Sequence, residues 1–156
     1  MKSLLHLIVL FVLLPGIAEE GFAQNPIRFR KQMIAAESYE TVGVFDVNND
    51  QQMDLVSGAM WYEGPQFTKR HFITQPTRFD EYYNDYSTIP LDVDGDGWTD
   101  FITAGWEDHT IYWRKNPEAY DREWKTINIG KTGNVETTRG WDIDGDGIPE
   151  IVPNNP

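Results

Sequence analysis

Asp92, Asp94, Asp96 and Asp100 set four carboxylates at positions 1, 3, 5 and 9 of one short stretch. Position 7, Trp98, can add its backbone carbonyl. Gly95 and Gly97 permit the tight, partly left-handed path that folds such donors around one point. Without a cation, converging carboxylates repel one another strongly. A donor set made only of oxygens, with water to complete the shell, suits calcium, which takes six to eight oxygens in flexible geometry. Magnesium demands a stricter octahedron and is the second choice.

The pattern occurs three times without gaps, in segments 45–54, 91–100 and 141–150, whose starts lie 46 and 50 residues apart. The third copy offers Asp142, Asp144, Asp146 and Glu150, with the carbonyl of Ile148. The first offers Asp46, Asn48, Asp50 and Asp54, with Gln52 at position 7. It lacks both glycines, and Gln51 stands where Gly97 and Gly147 stand, so Gln51 is expected to bear the backbone strain. Up to three calcium ions are therefore expected, with the 46–54 site the weakest. An EF-hand opens with the same alternating acids but requires a glutamate at position 12 and flanking helices. Position 12 here is Ser57, Thr103 or Pro153, and the flanks read as strands.

The elements that must hold these loops repeat with them. Each loop is followed by an apolar pair, Leu55-Val56, Phe101-Ile102 or Ile151-Val152. Glu40-Thr41 and Glu136-Thr137 precede loops one and three at equal distance, and Trp61-Tyr62-Glu63-Gly64-Pro65 aligns with Trp113-Arg114-Lys115-Asn116-Pro117. Short runs of aromatic and β-branched residues broken by Gly, Pro, Asn and Asp read as strands and turns. No helical apolar period follows the N-terminal segment. One repeat thus reads as strand, acidic loop, strand, turn, Trp-containing strand, Pro turn, strand. Four strands in a repeat of this size is the anatomy of a propeller blade. The Trp residues are expected to pack between blades.

At the N-terminus, Lys2, an apolar run from Leu4 to Leu14, Pro15-Gly16 and then small residues follow the order of a secretory signal peptide. Cleavage is expected after Ala23, with Ala18 the alternative, leaving 24–156 as the repeat region. The run is too short to cross a bilayer. Secretion, or a periplasmic or cell-surface location, follows. The chain has no cysteine, which excludes a disulfide framework and thiol chemistry. Its formal charge of −12 argues against nucleic-acid binding. Eleven of the 25 acidic residues lie in the three loops, so much of that charge belongs to the expected metal sites.

Signals for catalysis are thin. His109 follows Glu107-Asp108, and His71 lies in Lys69-Arg70-His71, read as the solvated side of a strand. Glu40, Glu136 and Asp85 precede the loop-bearing strands, where a propeller has its central channel. No nucleophile elbow, phosphate loop or zinc-binding helix motif is present, and no catalytic residue is assigned.

The acidic loops, their apolar pairs and the Trp-x-x-x-Pro element resemble FG-GAP/VCBS repeats, also found in integrin-type propeller heads. The resemblance runs from about Ala36 onward and implies an all-β, partial β-propeller of about two and a half four-stranded blades. It also implies calcium held between adjacent strands through the positions named above. Members of the family serve in adhesion, carbohydrate binding and, in some cases, sugar lyase or dehydratase chemistry. The preferred expectation is a non-catalytic calcium-binding module presenting a surface for carbohydrate or an extracellular protein. The alternative is the N-terminal fragment of a propeller enzyme acting on sugars. Since propellers close with four to eight blades, the remaining ones are expected to be missing through truncation or supplied by another chain.

Overall fold

A computed structural model describes residues 27–120 and 122–154. The expected signal peptide and its cleavage sites lie outside the described residues. Two units divide the chain, 1–32 and 33–156. The described part of the first, residues 27–32, contains no strand. The second is built from strands, and no helix occurs among the described residues.

The first blade is a meander of β1 (Gly43–Phe45), β2 (Asp54–Ser57), β3 (Met60–Tyr62) and β4 (Arg70–Phe72), all antiparallel. A two-stranded hairpin of β5 (Arg78–Phe79) and β6 (Tyr82–Tyr83) follows. The second blade repeats the meander with β7 (Ile89–Leu91), β8 (Asp100–Ala104), β9 (Thr110–Lys115) and β10 (Lys125–Lys131). The third begins with β11 (Thr138–Trp141) paired to β12 (Glu150–Pro153). The four antiparallel sheets are of the kind propeller blades are made from, and they do not close into a ring. The order of strands within each repeat is the one expected from the sequence. The β5–β6 hairpin was not.

Period-two patterning explains why these segments form strands. In β1, Gly43 and Phe45 are buried while Val44 faces out, and β2 buries Asp54 and Val56. β8 is buried along its whole length, as its Phe-Ile-Thr-Ala run requires. The core is the seam between the first two blades. Phe45, Val56, Trp61 and Ile73 come to it from the first blade, and Phe101 and Trp124 from the second. The Phe45 and Phe101 rings are tilted with centroids 6.4 Å apart, and Phe101 and Trp124 lie 5.6 Å apart. Each such side chain contributes about 1.5–3 kcal/mol through removal of apolar surface from water. Trp61 and Trp124 thus pack between blades as expected, whereas Trp141 is exposed.

The loop-bearing strands β1, β7 and β11 abut. A Cβ on Gly43 would come within 2.5 Å of Thr88 Cγ2, and one on Gly140 within 3.0 Å of Ile89 Cγ2. Thr41 and Thr88 share a 2.7 Å hydroxyl hydrogen bond beside the first contact. Side chains of the neighbouring strand pack against both glycines and leave no room for a Cβ, which is why glycine occupies both strands.

Candidate metal centre

Each acidic loop joins the first two strands of its sheet, and the same three sets of hydrogen bonds shape all three. The first carboxylate gathers backbone N–H groups from across the turn. Asp92 accepts from Gly95 and Gly97, both at 2.9 Å, and from Asp96 at 3.1 Å. Asp142 accepts from Gly145 at 2.7 Å and Gly147 at 3.0 Å. Asp46 accepts from Asp50 at 3.2 Å and Gln51 at 2.8 Å. The position 5 carboxylate then accepts the N–H of position 7: Asp50 from Gln52 at 2.8 Å, Asp96 from Trp98 at 2.9 Å, Asp146 from Ile148 at 2.8 Å.

The position 9 carboxylate closes the loop by accepting from position 2. Asp54 accepts from Val47 at 2.9 Å, Asp100 from Val93 at 3.2 Å, and Glu150 from Ile143 at 2.8 Å. Asp54 and Asp100 are fully buried, and each also receives an N–H from the turn after the Trp strand. Gly64 donates to Asp54 and Asn116 to Asp100, both at 2.7 Å. Trp113 Nε1 adds a further donor to Asp100 at 2.9 Å. Burial pushes both carboxyls up in pKa, and these backbone donors pull them partly back.

Positive φ angles fall where the sequence requires them. Gly95 and Gly97 adopt 72° and 87°, and Gly145 and Gly147 adopt 82° and 90°. In the first loop Asn49 takes 58° and Gln51 takes 69°. Asn tolerates this region, but Gln pays for its Cβ there.

Positions 1, 3 and 5 form the open face of the two later loops. Asp92, Asp94 and Asp96 bring one carboxylate oxygen each within 4.8 Å of the others, and Asp142, Asp144 and Asp146 do the same. All six are exposed. Such all-oxygen triplets fit a hard divalent cation, because each oxygen keeps a lone pair beyond its N–H partner. In the first loop the Asn48 side chain bonds Asp50 in both directions, Oδ1 accepting its N–H and Nδ2 donating to Oδ2, each at 3.1 Å. An amide donor therefore occupies part of what the other loops offer as carboxylate.

Two side chains at these loops were not singled out from sequence. Lys115, at the end of β9, reaches Asp94 and lies 2.8 Å from Asp96. Its ammonium holds the Asp96 carboxyl below the usual range, and the pair raises the lysine in turn. Asn116 is buried and straps the loops of neighbouring blades together. Its Nδ2 donates to Val47 O at 2.8 Å and Thr99 O at 3.2 Å. The repeat alignment carries a sign of the first, because Glu63 stands in the first blade where Lys115 stands in the second. Glu63 turns instead to Lys69 at 3.0 Å and His71 at 3.3 Å.

A cleft beside the first two loops is lined by Val47, Asn48, Trp61, Trp98, Asn116 and Tyr120. His71 stacks on Trp61 at 4.2 Å and lies near Tyr120, so it is partly covered, contrary to the solvated position expected for it. Its register opposite Trp61 on β3 decides this. His109 is exposed on the β8–β9 turn, with its carbonyl accepting from Thr132 N at 2.9 Å. Glu40 and Glu136 are exposed, while Asp85 is buried, with Thr103 Oγ1 donating to it at 3.0 Å.

Residues 92–152, from the second loop to the third, match the family model described as an FG-GAP-like repeat. No curated protein and no solved structure matches the chain.

Proposed function

From the match of residues 92–152 to an FG-GAP-like repeat, we propose that this chain is a secreted calcium-binding module of β-propeller type. The observation that carries the metal reading is the pair of aspartate triplets with oxygens within 4.8 Å of one another. Asp92, Asp94 and Asp96 would hold one ion, with Asp100 and the carbonyl of Trp98 at hand. Asp142, Asp144 and Asp146 would hold a second, with Glu150 and Ile148. Asp46, Asn48, Asp50, Gln52 and Asp54 would form a third and weakest site. The bound ion supplies charge neutralisation and ties the first two strands of a blade together, and the chain supplies everything else by backbone pinning.

The Trp98 and Tyr120 cleft beside these loops offers aromatic faces of the kind that contact sugar rings or protein side chains, so the module presents this face to an extracellular carbohydrate or protein. A signal peptide over residues 1–23 would deliver it to the cell surface or periplasm. The test is calorimetric titration with calcium, paired with melting curves in calcium and in chelator. At a calcium concentration ten times the dissociation constant, each site stabilises the fold by about 1.4 kcal/mol. Chelation is expected to lower the Tm, and Asp96→Ala to reduce binding more than Asn48→Ala. Identical melting curves with and without calcium would remove the stabilising role.

A further inference from the structure

Lys115 bridges two carboxylates that a cation at the second loop must use, touching Asp94 and standing 2.8 Å from Asp96. The lysine is held from its own side as well, its Nζ lying 5.7 Å from the Trp113 ring centroid. Asp142, Asp144 and Asp146 have no ion pair among the described residues, and neither have Asp46 and Asp50. Among the described residues, the second loop alone therefore carries a covalently tethered cation in its open face.

Resting on the calcium reading above, we infer that Lys115 is a built-in competitor at the second loop, so that the third loop fills first and the second only at higher cation concentration. Both loops have the same acids at positions 1, 3 and 5 and the same two glycines; they differ in Asp100 against Glu150 at position 9 and in Lys115, which bridges the carboxylates of the second loop. A divalent ion and an ammonium cannot share Asp94 and Asp96 without strong repulsion at contact distances. Binding is thus an exchange. The ion takes the carboxylates and the lysine, still protonated, swings into solvent. Before exchange, the ammonium offsets the repulsion among Asp92, Asp94 and Asp96 and keeps the second blade's loop formed.

The experiment is calorimetric titration of the full chain with calcium alone, with loops one and three disabled by Asp46→Asn, Asp50→Asn, Asp142→Asn and Asp144→Asn. Lys115→Met, which keeps the stem over Trp113, is expected to tighten binding at the remaining loop by about tenfold or more. Lys115→Arg, which keeps the charge, is expected to bind as weakly as the parent. Equal dissociation constants for the parent and Lys115→Met overturn the inference while leaving the calcium reading intact. No binding in either protein overturns both. Should the multiply substituted chain fail to fold, Lys115→Met in the otherwise unaltered chain serves. The second of its three calcium steps is then expected to move toward the tightest one, and an unmoved second step overturns the inference.

Discussion

Asp85 offers a perturbation whose size can be worked out beforehand. The side chain is 3 % exposed, and one oxygen accepts from Thr103 at 3.0 Å. Burial pushes its pKa from 3.8 up to about 6, against the pull of the Thr103 hydroxyl, the Arg114 charge and the Gly58 N–H, and with a push from Glu40. The folded state thus prefers the neutral acid. Because the folded pKa lies above the unfolded one, the stabilisation is complete below about pH 4 and is lost as pH rises through about 6. A difference of this size is worth about 3 kcal/mol. Asp85→Asn cannot ionise and escapes the penalty. Urea unfolding of both proteins, with calcium held constant, should show the stability difference shifting by about 2.4 kcal/mol in favour of the variant between pH 4 and pH 7. Every other ionisable group is common to the two proteins and cancels in the comparison. A difference that stays flat across that interval would show that Asp85 ionises as an ordinary carboxyl, and the reasoning from its burial would be wrong.

Two further outcomes test the fold. Phe101→Ala, at the seam between the first two blades, should cost about 3–5 kcal/mol in urea unfolding, since it opens a cavity among Phe45 and Trp124. Gln51→Gly should stabilise the apo chain by about 1 kcal/mol in the same assay, because it removes a Cβ from a backbone at φ 69°.

The strand and loop order was legible because two periodicities coincide. Acids at every second position mark the loops, and apolar pairs immediately after them mark β2, β8 and β12. The conformations at Gly95, Gly97, Gly145 and Gly147 were legible for the same reason, as was the left-handed Gln51. The β5–β6 hairpin escaped because strands of two residues carry no period. Lys115 and Asn116 escaped because their partners are distant in sequence; the Val47 carbonyl bound by Asn116 is 69 residues away. His71 was misplaced because cross-strand register, not local composition, sets it on the Trp61 ring. Asp54 and Asp100 look like their exposed neighbours in sequence, yet they sit fully buried as anchors for backbone N–H groups.

The strap between neighbouring repeats also orders events in time. Val47 O meets its Asn116 partner, and Ile73 O its Trp124 N–H donor, only after the ribosome has extended the polypeptide through most of the following repeat. Of two adjacent units, the one made first therefore waits, half-finished, as the unit holding Phe45 and Trp61 does without its cover. Synthesis of the next unit both completes its predecessor and leaves a fresh unfinished edge behind it, so maturation advances along the array one repeat in arrears of translation.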